Sequence, residues 1–486
     1  MYKVLHANWL FYKGSFTHLL AEYGDTKILS YNQKLWSLYK LGMYDSVRLL
    51  EYKKLNWMGY FAKIVSNAAC GEYEVVKKLI DETTQYYRPK WYFKKLANAL
   101  APFIPELSLY ILELKASQQL SQILYIALLL QVGRYREVKN EFQRIKEGDF
   151  NKSPEFYLYQ TNLIKKLTPL EKLDKLNHYF SLMGLSQVML EDRALDPSTM
   201  NLKSSSLHLS NIQQESLVTI IMTTYNTNIR AEAAIASILQ QTYTNFELII
   251  VDDASQDNTL EVLNQWATKD QRIRIISLVE NVGTYVAKNI GLKYARGEFI
   301  TCHDSDDWSH PFKIEYQVKP LLDNSKLMAT ISYWLRIDDT GYYFARAVYP
   351  LLRQNPSSLL FRKEEIIESI GVWDNVRTGA DSEFIMRLKL VFGKEAFKRV
   401  KLPLSLGAHR DNSLMTASDT GYCGQGMSSQ RLNYWESWSQ WHIDKIRLKQ
   451  IPFIYFDVEQ QRTFDAPQEI LIKKETVSRV LKNIEK

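Results

Sequence analysis

The sequence predicts an α/β domain with a mostly parallel sheet, preceded by an all-α domain of the helical-repeat kind. Two observations lead to this prediction. In the first half, glycine-containing turns recur between segments that have the apolar spacing of amphipathic helices. After Ser216, short apolar segments alternate with helical ones, as expected of parallel strands that helices cover on both faces.

Four turns in the first half share one pattern: a glycine, an aromatic residue two positions later, and an aliphatic residue three positions further on. They begin at Gly14, Gly42, Gly71 and Gly133. Glycine suits the left-handed backbone of a turn between paired helices, and the other two residues can pack the hairpin. The pattern resembles the turn of tetratricopeptide repeats. Because the periods are short and uneven, an irregular helical domain is the alternative.

Composition divides the chain into four predicted parts. The polar, turn-forming stretch 196–216 reads as a linker between the helical domain 1–195 and the α/β domain 217–430. The segment 431–486 is a helical, aromatic extension, whose tryptophans at helical spacing predict packing in a core or between domains. Helical arrays usually offer binding surfaces, so we expect a homodimer or a biosynthetic complex through 1–195.

Bulk properties exclude several classes of protein. With 46% hydrophobic and 24% charged residues, the 486-residue chain is globular rather than disordered. The net charge of +7 is mild, and no basic, aromatic-interleaved stripe predicts nucleic acid as a partner. The three cysteines, Cys70, Cys302 and Cys423, form no disulfide or zinc pattern. We therefore expect a cytoplasmic protein, with a peripheral position on the inner face of the membrane left open.

Carboxylates follow two of the predicted strands, at the point where each strand ends. Asp253 comes directly after the second strand, and Asp304 and Asp306 follow the fourth. Ligands of parallel sheets bind beyond these carboxyl ends. An Asp-x-Asp motif gives a hard cation its preferred oxygen ligands and leaves coordination positions for a diphosphate. The sequence thus predicts Mn²⁺ or Mg²⁺ as cofactor.

The segment from Leu217 to about Met415 resembles an inverting family 2 glycosyltransferase with the Rossmann-like GT-A fold. The matching motifs come in the family's order: 218–226, 250–259, 281–291 and 304–307. The resemblance implies an enzyme of the hexosyltransferase type. Such an enzyme moves a sugar from a nucleoside-diphosphate donor to an acceptor hydroxyl. Configuration inverts in one displacement.

The resemblance also implies how the donor nucleotide is held. Asp253 would accept a hydrogen bond from the imide N–H of a uracil-like base, while Thr223 and Tyr225 would line the base pocket. Asp304 would lie near the ribose or the sugar phosphate. Lys288 stands where the family commonly has arginine and would attract phosphate as a point charge. A helix cap is the alternative role for Asp253, and a solvated helix face is the alternative for Lys288.

Carboxylates and a histidine supply the remaining predicted roles. By resemblance, Asp381 is the general base on the acceptor hydroxyl, and Glu383 is the reserve candidate. The alternative role for Asp381 is that of an N-cap or first-turn acid of a helix, and this role is compatible with that of a general base. Asp306 and His409 are the predicted metal ligands, and Arg410 would meet the diphosphate or form a surface ion pair.

The resulting hypothesis is a metal-dependent inverting glycosyltransferase that extends a surface glycan such as capsule or O-antigen. A UDP-sugar is the favoured donor. The acceptor is a glycan or a lipid-linked glycan. One alternative is a sugar-nucleotide nucleotidyltransferase, but 224–228 lacks the glycine-rich, basic loop of that class. Another is a helical-repeat adaptor with a dead transferase domain, which the joint presence of Asp304, Asp306 and Asp381 disfavours.

Overall fold

The computed structural model describes residues 2–51, 54–85, 89–114, 121–164, 166–205, 214–410, 426–456 and 461–484. The chain forms two compact units, each built from separate segments. Unit 1 consists of 1–133, 411–452 and 461–471, and unit 2 of 134–410, 453–460 and 472–486. Residues 206–213 of the predicted linker lie outside the described residues. So do residues 411–425 of the predicted α/β domain, which include Cys423. The four-part division of the chain stays a prediction.

In its described residues, unit 1 begins with eight helices that pack as consecutive pairs, followed by a ninth that packs against the eighth. They are α1 (Tyr2–Tyr12), α2 (Phe16–Tyr23), α3 (Tyr31–Lys40), α4 (Tyr44–Leu49), α5 (Trp57–Ala69), α6 (Tyr73–Gln85), α7 (Lys90–Leu100), α8 (Pro105–Leu114) and α9 (Gln122–Gln131). The first helices of successive pairs also pack together, α3 against α5 and α5 against α7. The first half is therefore helical, as predicted.

The predicted turn glycines lie between helices, and each of them has a left-handed backbone conformation. Their φ angles are 66° at Gly14, 79° at Gly42, 82° at Gly71 and 77° at Gly133. Residues with a Cβ adopt these angles only at a cost, so the turn pattern is explained by backbone geometry. The connection between α7 and α8, residues 101–104, contains no glycine, which accounts for the missing period after Gly71.

Unit 2 opens with four helices and a small hairpin. These are α10 (Tyr135–Gln143), α11 (Glu147–Lys152), α12 (Glu155–Leu163), α13 (Pro169–Leu182), and the antiparallel pair β1 (Val188–Leu190) and β2 (Leu202–Ser204). The predicted helical region thus gives way to a strand at Val188. Helix α12 is tied to the rest of the unit by Glu155, whose carboxylate accepts the N–H groups of Leu351 and Leu352, both at 2.9 Å.

The main sheet of unit 2 is mostly parallel, as predicted. Its strands are β3 (Val218–Thr224), β4 (Phe246–Asp252), β5 (Ile273–Ser277), β6 (Phe299–Asp304), β7 (Trp308–Ser309), β8 (Ala329–Ile337), β9 (Tyr343–Phe344), β10 (Arg353–Gln354), β11 (Leu360–Arg362) and β12 (Phe397–Ala408). The order is β5-β4-β3-β6-β11-β8-β12-β7, with β9 and β10 paired to β8. The strands β5, β4, β3 and β6 are mutually parallel, whereas β11 runs antiparallel to both neighbours.

Helices cover this sheet and bury its central strands. They are α14 (Asn228–Leu239), α15 (Thr259–Lys269), α16 (Thr284–Tyr294), α17 (Lys313–Asp323), α18 (Lys363–Ile370) and α19 (Ala380–Phe392). All seven residues of β4 are buried, which explains why its central residues, 248–251, are a continuous apolar run rather than an alternating one. Ile220, Leu248 and Phe299 belong to the core that α14 and α17 share with the sheet.

Helix α16 lies close to the sheet because Gly291 has no side chain. A Cβ at this position would come within 2.7 Å of the Ile221 Cγ2 methyl and 3.3 Å of Val251 Cγ2, both fully buried. We expect Gly291→Ala to lower the free energy of unfolding by about 1–3 kcal/mol, because overpacking forces rigid β-branched neighbours to move. Urea denaturation of the purified protein measures this. The matched control is Gly148→Ala in α11, where an added Cβ meets nothing within 4 Å.

Two further helices come from the end of the chain. Helix α20 (Ser429–Arg447) belongs to unit 1, and α21 (Lys474–Ile484) to unit 2. On α20, Trp438 and Trp441 are buried, which confirms the predicted packing role of these tryptophans. The carboxylate of Glu436 accepts the N–H groups of Asp45 and Ser46 at 2.6 and 3.0 Å, within unit 1. Across the described ranges, no helix is both long and apolar enough to span a bilayer.

Candidate active site

The strand register brings polar residues together at one edge of the sheet. Thr223 on β3 pairs with Asp304 on β6, and Thr224 on β3 pairs with Asp252 on β4. Asp253 follows directly after β4. Since these three strands are parallel, their carboxyl ends meet at the same edge, where ligands of such sheets bind. The carboxylates that the sequence placed at strand ends therefore lie in one region.

Asp253 holds the loop that leads into α16. Its Oδ1 accepts the N–H of Val282 at 2.7 Å, and its Oδ2 accepts the N–H of Gly283 at 2.8 Å. Burial raises the pKa of Asp253 to about 7, against the lowering effect of these two donors. At the start of α15 it is Asp257, not Asp253, that accepts an N–H of the helix, from the first helical residue Thr259 at 3.0 Å. Each Asp253 oxygen keeps a second lone pair for a ligand.

Lys288 and Asp381 form a buried ion pair. The lysine Nζ lies 3.2 Å from both carboxylate oxygens, with side-chain exposures of 2% and 15%. The Tyr285 hydroxyl donates a third hydrogen bond to Asp381, at 3.3 Å. Helix α16 therefore presents a cation and a phenol to the first turn of α19, and together they fix the carboxylate.

The groups around this pair have opposing effects on the pKa values of Asp381 and Lys288. Burial raises the pKa of Asp381, and the charge of Asp304 raises it further, while Lys288 and Tyr285 lower it. Burial alone would lower the pKa of Lys288, but Asp381, Cys302 and Asp304 raise it overall. Asp304 thus lies within electrostatic reach of both partners. A phosphate contact of Lys288 stays a prediction, since its ammonium is directed at Asp381.

The two aspartates of the Asp-x-Asp motif have different partners. Ser357 Oγ donates to Asp304 Oδ2 at 2.7 Å, and Arg410 Nε donates to Asp306 Oδ2 at 2.8 Å. Within the described part of the chain, no three His, Cys, Asp or Glu side chains cluster as a metal site. Two carboxylates nevertheless fit a hard cation whose other ligands are diphosphate oxygens and water. Such a cation would take the place of Arg410 at Asp306.

His409 lies at the end of β12, in a backbone segment that is held from two sides. Asp307 Oδ1 accepts the N–H of Ala408 at 3.1 Å, and Arg336 donates to the Ala408 carbonyl at 3.0 Å. The His409 ring stacks on Phe344, with centroids 3.9 Å apart and planes 6° from parallel. Its role as a metal ligand stays a prediction. The rest of the resembling loop, from residue 411 on, lies outside the described residues.

Two predicted base-pocket residues flank the turn after β3. Thr223 Oγ1 lies 2.7 Å from Thr284 Oγ1, at the start of α16. Tyr225 is exposed. A cavity of about 320 Å³ adjoins this turn, large enough for a small ligand. Its lining consists of Met200, Asn226, Thr227, Asn228, Ile229, Arg230 and Arg410.

Glu383, the reserve candidate for the base, is occupied elsewhere. Both of its oxygens accept hydrogen bonds from Arg387 at 2.8 Å, and neither side chain is exposed to solvent. Arg387 Nη2 also donates to the Val372 carbonyl at 2.7 Å. A carboxylate with both oxygens in a dry ion pair is poorly placed to take a proton from a substrate. The structure assigns Glu383 to the packing of α19.

Sequence reasoning missed two side chains of the site. Tyr285 is three residues before Lys288, so the two lie on one face of α16, and this spacing could have identified it. Ser357 lies in a short 3₁₀ turn before β11, and no pattern in the sequence points to it. Both contact carboxylates that the sequence did identify.

Comparison with known proteins gives a family match that covers part of this site. Residues 219–380 match the model of glycosyl transferase family 2. This region is similar to that family, and it contains the parallel strands β3, β4, β5 and β6 with the carboxylates at their ends.

Individual relatives match over the same region. An uncharacterized glycosyltransferase of Haemophilus influenzae is 39% identical over 117 residues, 24% of this chain and 47% of the relative. The Escherichia coli enzyme named UDP-Glc:alpha-D-GlcNAc-diphosphoundecaprenol beta-1,3-glucosyltransferase WfgD is 41% identical over 109 residues, 22% and 42% of the two chains. The chain thus spans less than half the length of these relatives.

One solved structure in the comparison is S. aureus TarS 1-349 in complex with UDP-GlcNAc. It shares 20% sequence identity over 40% of this chain and 59% of that chain, with a TM-score of 0.34.

Proposed function

We propose that this protein is a metal-dependent, inverting glycosyltransferase. It moves a sugar from a nucleoside diphosphate, with uridine as the favoured base, to a hydroxyl of a growing surface glycan. The observation that carries the proposal is the fixed carboxylate of Asp381, held by Lys288 and Tyr285 within electrostatic reach of Asp304. The name of the E. coli relative, a UDP-glucose-dependent enzyme with a lipid-linked acceptor, supports the donor and acceptor classes.

Asp381 acts as the general base in this proposal. It accepts the proton of the acceptor hydroxyl while that oxygen attacks the anomeric carbon from the face opposite the nucleotide, so configuration inverts without a covalent sugar–enzyme intermediate. Lys288 keeps Asp381 ionised, and Tyr285 fixes its orientation. A cation held by Asp306 and His409 would supply charge neutralisation for the leaving diphosphate, and Asp304 would lie near the ribose or the sugar phosphate. Asp253 accepts the imide N–H of the base.

Binding of the donor is the first test. A panel of UDP-, dTDP- and GDP-sugars, each with and without Mn²⁺, is screened for a rise in the melting temperature of the full chain. Each stabilising donor is then tested for hydrolysis and for transfer. We expect at least one UDP-sugar to stabilise the protein in a Mn²⁺-dependent way. If none of the panel stabilises it, the proposal is wrong; manganese-independent binding without turnover would favour the dead-transferase alternative.

Asp306 and Arg410 should have opposite effects on cation binding. We expect Asp306→Ala to weaken Mn²⁺-dependent binding of the nucleotide at least tenfold, because an oxygen ligand is lost. Arg410→Gln should instead strengthen Mn²⁺ binding to the free protein, because the cation no longer competes with a guanidinium 2.8 Å from the carboxylate. Calorimetric titration measures both. Equal manganese affinity in all three proteins would exclude Asp306 as a ligand.

Lys288 should set the pH at which the enzyme becomes active. Since a base must be ionised, kcat/KM falls as the pH drops through the pKa of Asp381. Lysine lowers that pKa, so Lys288→Gln should move the fall in kcat/KM to higher pH. Lys288→Arg, which keeps the charge, is the control and should restore much of the wild-type profile. An unshifted profile in Lys288→Gln would mean that another group is the base.

The wider predictions for the whole protein belong to the same proposal. The helical first half would serve a homodimer or a biosynthetic complex, and a peripheral position at the membrane would bring the enzyme to a lipid-linked acceptor.

A further inference from the structure

Three tryptophans form a continuous row on unit 1. Trp36, Trp57 and Trp91 lie on α3, α5 and α7, the first helices of three consecutive pairs. The ring centroids of Trp36 and Trp57 are 5.4 Å apart, and those of Trp57 and Trp91 are 5.7 Å apart, both in edge-to-face geometry. This row is called the tryptophan ladder below. It follows the direction in which the helix pairs are stacked.

The tryptophan ladder is not part of the core. Trp57 is 37% exposed and Trp91 is 45% exposed, whereas the rings of Phe61 and Tyr92 beneath them are buried. Those two rings lie 6.0 Å apart and fill the interior of the array. The exposed parts of Trp57 and Trp91 therefore lie beside an aromatic layer that is already packed. Contiguous apolar surface of this kind marks a binding site, and tryptophan is enriched in such sites.

Two lysines give the tryptophan ladder a positive charge. Lys40 Nζ lies 5.4 Å from the ring centroid of Trp36, and Lys95 Nζ lies 5.0 Å from that of Trp91. Burial lowers the pKa of Lys40, and the charge of Lys95 lowers it further, so both ammonium groups share this surface. A ligand that offers anionic groups at intervals would pair with both.

We infer that the tryptophan ladder binds an anionic glycan chain. The C–H faces of successive sugar rings would stack on the indole rings, and the carboxylate or phosphate groups of the chain would meet Lys40 and Lys95. The choice of a glycan rests on the proposed function, because the same polypeptide carries the glycosyltransferase domain. With more than half of the surface of Trp57 and Trp91 buried, the rings are held in the protein surface, which suits stacking better than insertion into a bilayer.

The experiment measures binding by the full chain to four probes: polygalacturonate, neutral dextran, anionic phospholipid vesicles and oligo(dT). We expect polygalacturonate to bind most tightly. The double variant Trp57→Ala/Trp91→Ala should weaken this binding by about tenfold or more, in line with the loss of two stacking platforms. Lys40→Gln/Lys95→Gln should weaken it too and reduce its dependence on salt.

Two controls separate the inference from trivial loss of structure. Trp9→Ala removes a tryptophan that is 54% exposed and has its own lysine, Lys13 at 5.9 Å, but lies outside the tryptophan ladder. It should leave binding unchanged. Trp57→Phe/Trp91→Phe keeps aromatic rings and should retain most of the affinity, so loss in the alanine variant alone points to stacking. Melting curves establish that each variant is folded.

Several outcomes would overturn the inference. These are equal binding of polygalacturonate by the wild type and the alanine double variant, no binding of polygalacturonate, or preferential binding of vesicles or oligo(dT). Its failure is separable from failure of the proposed function. Transfer from a sugar nucleotide without glycan binding contradicts only the tryptophan ladder, while glycan binding without any donor binding contradicts only the transferase proposal.

Discussion

Asp381→Asn is expected to lower kcat by about 10²–10⁴-fold, the usual contribution of a positioned general base. Donor binding should change little, because asparagine keeps the shape of the side chain and still accepts one hydrogen bond from Lys288. Steady-state transfer rates give the first quantity, and calorimetric titration with a sugar nucleotide and Mn²⁺ gives the second. This separation of chemistry from binding is what a base, as opposed to a donor ligand, produces.

The control for Asp381→Asn is Asp323→Asn, the same change at an aspartate on α17 whose side chain is 59% exposed. It should leave both transfer and binding at the wild-type level. If Asp381→Asn retains wild-type kcat, the base lies elsewhere; if it abolishes donor binding as well, Asp381 acts on the nucleotide side of the site.

Glu383→Ala is expected to lower the free energy of unfolding by about 3–5 kcal/mol, because it leaves the buried Arg387 charge without its partner. Neither member of this pair is exposed, so solvent cannot replace the lost carboxylate. Denaturant unfolding measures the effect. Transfer per folded molecule should stay within a few-fold of wild type, since both oxygens of Glu383 serve Arg387 and not a substrate.

An exposed pair of the same spacing serves as the control. Lys319 and Asp323 are also four residues apart on one helix, but both are more than half exposed. Asp323→Ala should cost no more than about 0.5 kcal/mol. If Glu383→Ala is as mild as this control and transfer collapses, Glu383 is the base and its assignment to packing is wrong.

Local sequence patterns predicted most of the α/β core. The predicted strands 246–251 and 299–302 correspond to β4 and β6, and the predicted helix 286–294 corresponds to α16, each within a few residues of the observed bounds. These segments have consistent propensity, periodicity and end signals. The strand ends then located Asp253 and Asp304 at one edge of the sheet, because parallel strands leave little choice of where their carboxyl ends lie.

Partners distant in sequence could not be predicted in the same way. The pairing of Lys288 with Asp381 depends on how α16 and α19 pack, and no local pattern specifies that. The family resemblance predicted that Lys288 contacts a phosphate, whereas in the structure its ammonium group pairs with Asp381. The ion pair of Arg410 with Asp306 is likewise set by the end of β12. Side-chain identity suggests chemistry, but the packing of remote elements decides which charges meet.

Helix α20 has a consequence for how this protein is made. Its Ile443 joins Leu19, Leu35 and Val47 in the apolar core of unit 1, and its Trp435 Nε1 donates to the Leu41 carbonyl at 2.6 Å. A ribosome synthesises the partners of α20 first and α20 itself hundreds of residues later. The helices that α20 covers therefore wait, with an apolar face uncovered, while the 394 residues that separate Leu41 from Trp435 are translated. Until then this uncovered apolar surface is exposed to aggregation, as in other partly folded chains.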